Sequence, residues 1–170
     1  MDATQLRLAP MAEDYLGWLA EIAGETEIAR FTRFPVPIPD GWVEQWYGRY
    51  LAGRADGSRQ AFIALLADHP VGLALAPQIE PEARELELGY LVDPAFRGQG
   101  VATELLHQLT RWAFTEAAAL RVELRIDVAN LGSRTVAQRC GYRLEGTLRS
   151  CYVKNGLRSD VQVWAKLPGD

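Results

Sequence analysis

The sequence predicts an α/β chain of the α+β kind: a single mixed, mostly antiparallel sheet of about seven strands with helices on both faces. Three observations predict it. In the middle of the chain, segments whose apolar residues alternate with period two are interleaved with segments of helical spacing. Outside that middle lie strand-like segments joined by turn residues. The 170 residues, 48% hydrophobic and 24% charged, suit one domain, 1–170, which buries roughly 70% of its unfolded surface and needs no metal or disulfide staple.

Taken in order, Gln5 to Leu8 is a short strand, and Asp14 to Ala23 is a helix with Tyr15, Leu16, Leu19 and Ile22 near helical spacing. Phe31 to Pro39 carries three prolines, which a helix interior does not accept, so it reads as an apolar, aromatic loop. Asp40 is placed to cap a second helix that runs to about Gly53 and bears Trp42, Val43, Trp46, Tyr47, Tyr50 and Leu51. Strands Gln60–Leu66 and Val71–Pro77 flank Asp68-His69-Pro70, a turn. In Glu85–Val92 the residues Leu86, Leu88, Tyr90 and Val92 point one way, and Glu85, Glu87, Gly89 and Leu91 the other. Asp93-Pro94 ends that strand. Gly98 to Ala119 is the longest predicted helix, with Val101, Leu105, Leu109, Trp112 and Ala113 on one face. Arg121–Val128 alternates again, Asn130 opens a shorter helix, and Gly141 occupies its C-cap position. From Tyr142 to Leu167 two strands meet at Asn155-Gly156, a strong hairpin signal.

Composition narrows the function classes. No stretch approaches the roughly 18 apolar residues of a membrane span, and Met1 to Pro10 has no apolar core of a signal peptide. Cys140 and Cys151 form no CxxC, so a reducing, cytoplasmic setting is expected. His69 and His107 are far apart, which leaves little material for a metal cluster, and no GxSxG elbow marks a serine hydrolase. Basic residues form no cluster of the kind that binds nucleic acid. The charge is uneven: up to residue 85 there are 7 Arg against 13 Asp/Glu, and thereafter 11 Lys/Arg against 9 Asp/Glu. This division suits an anionic ligand on the second half and a cationic one on the first.

Chemistry concentrates in Leu88 to Ala102. A strand ends, a short loop follows, and Gly98 and Gly100 open a long helix. The first N–H groups of a helix lack internal partners and carry partial positive charge, which together bind phosphate. Glycine lets backbone approach the anion, and Arg97 can add charge at the rim. The pattern is not the dinucleotide GxGxxG, which needs an acidic residue about 20 positions on.

Arg97-Gly98-Gln99-Gly100-Val101-Ala102 resembles the acyl-CoA pyrophosphate loop, Q/R-x-x-G-x-G/A, of the GNAT N-acetyltransferase superfamily. Glu87-Leu88-Gly89-Tyr90, Ala102-Thr103-Glu104, Asn130-x-x-Ser133, Gly141-Tyr142, Glu145 to Arg149 and Asp160 resemble its ribosomal-protein-alanine N-acetyltransferase-like branch. The resemblance covers nearly the whole chain. It implies a central parallel strand pair splayed to admit acyl-CoA. The pantetheine arm would pair with backbone near Leu91 and Val92, and the pyrophosphate would rest on the amides of Arg97, Gly98, Gln99, Gly100, Val101 and Ala102. It also implies a contact from Asn130 to pantetheine and a place for Ser133 near the CoA sulfur. Many members use a tyrosine acid where this chain has Ala137, and some relatives carry a catalytic glutamate where Tyr152 stands.

Candidate roles follow. Glu87 is the first choice for general base, with Glu85 on the same face as runner-up. Ser133 or Tyr152 would protonate the leaving thiolate. Phe31 and Phe34 would wall the acceptor pocket with Glu85, whereas Trp42 and Trp46 suit the core. Cys140, on the apolar side of its helix, suits core packing and not nucleophilic attack. The expected activity is direct transfer from acetyl-CoA, a cosubstrate, to an amine of a small molecule or a protein N-terminus, with no metal. Expected partners exclude nucleic acid and membrane and leave a homodimer open. The alternative is a non-catalytic acyl-CoA-binding module of the same fold.

Overall fold

The alternation of Glu85 to Val92 becomes a strand with those same bounds, β4, at the middle of a seven-stranded sheet in the computed structural model, which describes residues 3–170. Met1 and Asp2, part of the charged N-terminal stretch, lie outside the described residues. The other strands are β1 (Arg7–Pro10), β2 (Gln60–Leu66), β3 (His69–Glu80), β5 (Arg121–Asp127), β6 (Arg143–Lys154) and β7 (Leu157–Lys166). Their order across the sheet is β1-β2-β3-β4-β5-β7-β6. Among the described residues only β4 and β5 pair in parallel; every other neighbouring pair is antiparallel. The helices are α1 (Leu16–Ala23), α2 (Thr26–Phe31), α3 (Trp42–Asp56), α4 (Val101–Thr115) and α5 (Leu131–Arg139).

The two faces of β4 feed two cores, as its alternation requires. Leu86, Leu88 and Val92 pack with Leu105, Leu106 and Leu109 of α4 and with Ala137 and Cys140 at α5. Leu91 packs on the opposite face with Leu19 and Ile22 of α1 and Val43, Trp46 and Tyr50 of α3. At Gly72, opposite Val92, β3 runs so close to its neighbours that an added methyl would sit 2.7 Å from the Leu91 carbonyl oxygen and 3.0 Å from Leu105.

Several expected boundaries move. The helix expected over Asp14–Ala23 starts with a 3-10 turn, Glu13–Tyr15, and becomes α-helical at Leu16. A helix that the sequence reading lacked, α2, occupies Thr26–Phe31, so Phe31 ends a helix and the proline-rich loop begins at Thr32. Asp40 does not cap α3: Gly41, at φ 71°, takes that position, and the helix continues to Asp56. The first hairpin turns on Ala67 and Asp68, both at positive φ, while His69 and Pro70 already belong to β3, which runs past Pro77 to Glu80. Helix α4 spans Val101–Thr115 and not Gly98–Ala119, because the glycines before it form a turn. Strand β1 lies two residues later than expected. At the other end Asn155 and Gly156, both left-handed, make the β6–β7 turn as expected.

Candidate active site

Strands β4 and β5 stay paired for four residues, Glu85–Leu88 against Arg121–Leu124, and then part. Beyond Leu88, the edge of Gly89–Val92 that faces β5 has no strand partner there. The register of β3 against β4 shifts between the Leu75–Gly89 and Gln78–Glu87 pairs, one extra β3 residue at the height where the split opens. Such a bulge bends its strand and re-aims neighbouring side chains. Glu87 therefore stands at the base of the split.

The Glu87 side chain is 19% exposed and lines a hollow of about 100 Å³ with Phe31, Arg33, Arg125, Asp127 and Tyr152. Burial raises its pKa above the ordinary carboxylate value. The positive charges of Arg125 and Arg33 oppose that rise without cancelling it, and Glu123 adds to it. Arg125 Nε lies 3.6 Å from Glu87 but 2.9 Å from Glu123, so its short bond goes to Glu123. The carboxylate keeps acceptor capacity toward the hollow. Glu85, two residues back, lies outside it: its carboxylate accepts from Arg121 Nε at 3.0 Å, in a cluster with Glu123 and Glu145.

The end of β4 leads into the predicted phosphate loop. Asp93 caps the 3-10 turn Pro94–Phe96 by accepting from the Ala95 N–H, and its other oxygen accepts from Trp18 Nε1. Gly98 (φ 74°) and Gly100 (φ 83°) hold a left-handed conformation that other residues adopt only with strain. Among the described residues, the N–H groups of Gly98, Gln99, Gly100, Val101 and Ala102 donate to no protein group, while those of Thr103 and Glu104 return to Gly100. Five free donors at the positive end of a fifteen-residue helix fit a pyrophosphate. No atom outside the chain neighbours lies within 4 Å of where a Cβ of Gly98 would be, so the cradle is open. Arg97 is not aimed at this cradle. It donates to Glu25 (3.0 Å), Glu27 (2.8 Å) and the Val92 carbonyl (3.3 Å), and thus ties the loop to the first turn of α2.

Asn130 caps α5: its Oδ1 accepts from the Ser133 N–H at 3.0 Å. This fixes Ser133 in the first turn of α5, across the split from β4. Tyr90, on the α4 side of β4, approaches Ser133. The Tyr90 hydroxyl is buried, has no well-formed hydrogen bond among the described residues, and is pushed up to about 12 by desolvation. Tyr152 reaches the hollow from β6. Between Leu148–Val161 and Tyr152–Ser159 the register shifts by two residues, with Ser150 at φ 54°. Asp160 pins this bulge by accepting from the Ser150 N–H at 2.8 Å. Tyr152 donates to the Thr32 carbonyl at 2.9 Å, and burial raises its pKa.

The structure therefore brings Glu87, Phe31 and Tyr152 together, and places Leu91, Val92, the Arg97–Ala102 loop, Asn130 and Ser133 along the split. Phe34 is buried against Trp42 and Trp46, with ring centroids 5.0 and 6.3 Å away, and shows only an edge to a second hollow. Trp46 packs in the core, and Trp42 and Tyr47, partly buried, lie against it. Cys140 is buried at the end of α5 and its thiol is pushed up to about 11 by desolvation, which suits packing and not nucleophilic attack. Arg33, Arg125 and Asp127 also line the Glu87 hollow, and Lys154 the second one; none was singled out from sequence. No local motif marks them, since they arrive from three separate elements: the proline-rich loop, β5 and β6. Among the described residues no group of His, Cys, Asp or Glu is arranged to hold a metal ion, and no helix is long and apolar enough to cross a membrane.

A family model described as an acetyltransferase (GNAT) domain matches residues 5–143. The ribosomal-protein-serine acetyltransferase of Escherichia coli (strain K12) is 29% identical over 111 residues, 65% of this chain and 62% of that protein. The chain thus spans less than two thirds of the length of the curated relatives it first matches (62%, 46% and 52%). Among solved structures, RimL, a ribosomal-protein alpha-N-acetyltransferase in complex with coenzyme A, superposes with a TM-score of 0.90 at 21% identity, covering 96% of this chain and 94% of that one. A spermidine N-acetyltransferase from Vibrio cholerae, with CoA and spermine, gives 0.85 at 21% identity, covering 96% of each chain. These superpositions show a shared fold.

Proposed function

The chain belongs to the acetyltransferase (GNAT) family, and from that premise we propose that residues 1–170 form one N-acetyltransferase domain. It moves the acetyl group of acetyl-CoA to a primary amine, of a protein N-terminus or a small molecule, by direct attack in a ternary complex. One observation carries the reading: the free-donor cradle of Gly98–Ala102 and the half-buried Glu87 carboxylate lie at the two ends of the same strand split.

Bound acetyl-CoA supplies a thioester carbonyl. The chain's residues do the rest. The cradle N–H groups hold the pyrophosphate, and the unpaired edge of Gly89–Val92 lies along the pantetheine path. The acceptor nitrogen enters from the hollow of Phe31, Glu87 and Tyr152. Glu87 takes a proton from the ammonium, directly or through water; a raised pKa brings its proton affinity closer to that of the amine. The nitrogen then forms the new N–C bond, the C–S bond breaks, and the thiolate receives a proton. Ser133 suits that last step, because the α5 cap fixes its backbone N–H and its side chain lies beside Tyr90, whereas the Tyr152 proton is already given to Thr32. Holding both reactants in one split supplies most of the advantage, through orientation.

We place the protein in the cytoplasm, a setting its two free cysteines support. Its partners are acetyl-CoA and an amine, with neither nucleic acid nor membrane. Exposed Leu144, Leu148 and Val153 on the edge strand β6 support a second copy as a further partner. The test is thiol release from acetyl-CoA across N-terminal peptides, amino acids, polyamines and aminoglycosides. Turnover with at least one amine, lowered about 10²-fold or more by E87Q, is expected. CoA binding with no turnover of any amine would instead identify a non-catalytic acyl-CoA-binding module.

A further inference from the structure

Beside the hollow at Glu87 lies a larger one of about 470 Å³, lined by Arg33, Phe34, Tyr152, Lys154 and Asn155 among others. The two adjoin each other across Arg33, Cys151 and Tyr152, which line both. Their charges differ. The inner hollow sets Glu87 and Asp127 against Arg33 and Arg125. The outer hollow has Arg33 and Lys154 and no Asp or Glu among its lining residues.

Both outer cations are available. Among the described residues Arg33 has no carboxylate within salt-bridge distance. Lys154 donates to the Ala29 and Thr32 carbonyls, the second at 2.7 Å, which fixes its ammonium at the negative end of α2 and leaves one N–H. Arg33 lies close enough to Glu87 for its charge to act on that carboxyl. A guanidinium presents paired donors that match a carboxylate. A polyamine entering here would set its second ammonium against two cations with no Asp or Glu beside them in the outer hollow.

We propose, building on the N-acetyltransferase reading, that the acceptor is a primary amine carrying a carboxylate: the amine meets Glu87, and the carboxylate meets Arg33 with Lys154 beside it. This local charge is opposite to the chain-wide tendency of an acidic first half. It makes amino acids, short peptides with a free C-terminus and acidic N-terminal peptides the substrate class, and disfavours spermidine-like amines.

The experiment compares kcat/KM of the full chain, with acetyl-CoA, on matched pairs: an alanine dipeptide with a free carboxylate against its C-terminal amide, and an N-terminal peptide with Asp against Asn at its second position, with spermidine alongside. The carboxylate member of at least one pair is expected to be favoured tenfold or more, through KM. R33Q should bring that ratio close to one, and R33K should restore part of it. The pair that responds tells a small acid from a peptide acid. Equal use of both members in each pair, preference for spermidine, or a ratio that survives R33Q would overturn the proposal. If the chain binds CoA but acetylates nothing, the transferase reading fails on its own. The anion site is then read by calorimetry with the N-acetylated dipeptide acid and CoA-loaded protein. Binding lost in R33Q supports the site, and no binding in the unmodified chain overturns it.

Discussion

Arg125 stands 3.6 Å from Glu87 but gives its 2.9 Å hydrogen bond to Glu123. The Glu87 carboxylate is thereby left near a positive charge without being neutralised by it, and desolvation sets the direction of its pKa.

The first prediction concerns this carboxylate. A general base must be deprotonated, so the acid limb of kcat/KM should lie above the ordinary carboxylate range. E87Q should lower kcat/KM by about 10²-fold or more. The stability effect has the opposite sign. A raised folded pKa means that Glu87 favours folding below its unfolded pKa, and this contribution is lost as pH rises through the folded value. E87Q should therefore be the more stable protein at pH 7, with the gap closing near pH 4, in paired urea titrations. An unchanged acid limb together with full activity in E87Q would remove Glu87 from the mechanism.

Removing the opposing charge should push further the same way. In R125M the carboxyl loses the attraction of Arg125 and keeps its burial. The acid limb should move to higher pH, read as a pH profile of kcat/KM. A limb that moves down, or stays in place, contradicts the electrostatic picture. Glu123 retains Arg121 at 3.3 Å, so the variant is expected to fold.

The third prediction tests the cradle. Gly100 sits at φ 83°, where any side chain strains the backbone, and beside N–H groups that a tryptophan would cover. G100W should weaken CoA binding by about a hundredfold or more by calorimetry, since it removes both backbone fit and access. CoA binding of normal strength in G100W would exclude this loop as the phosphate site.

Tyr90 supplies a fourth. Its hydroxyl is buried without a well-formed partner, and a buried polar group in that state costs about 1–3 kcal/mol. Y90F should leave stability unchanged or raise it by about 1 kcal/mol in denaturant unfolding. A loss of more than about 1 kcal/mol would show that the hydroxyl has a firm partner, with Ser133 the first to examine.

How far these features were legible depended on their range. Strand β4 was readable to the residue because its alternation is strict and Asp93-Pro94 stops it, and the β6–β7 turn because Asn-Gly favours two left-handed residues. Helix α2 escaped because it is only six residues long and is capped by Glu25, whose carboxylate accepts from the N–H groups of Glu27 and Ile28. That carboxylate is also gripped by Arg97, 72 residues away, and no local pattern reports such a tie. The same tie explains why Arg97, placed at the phosphate rim from its motif, turns instead toward α2. At the two hollows, Glu87 was singled out from its neighbours in sequence. Arg33 and Lys154 were not, because the proline-rich loop and β6 meet there only once the sheet has formed.

The contact at Gly72 bears on tolerances. A single methyl there would collide with the Leu91 carbonyl on one side and with Leu105 on the other. The first belongs to the rail along which pantetheine is proposed to slide, and the second to the helix whose opening turn forms the cradle. To admit the methyl, the backbone of the rail must shift and the Leu105 side chain on the cradle's helix must give way. Reaction geometry is sensitive to displacements of about 1 Å. The calibration of the whole donor channel thus depends on one missing carbon atom at a position that would not itself touch a reactant.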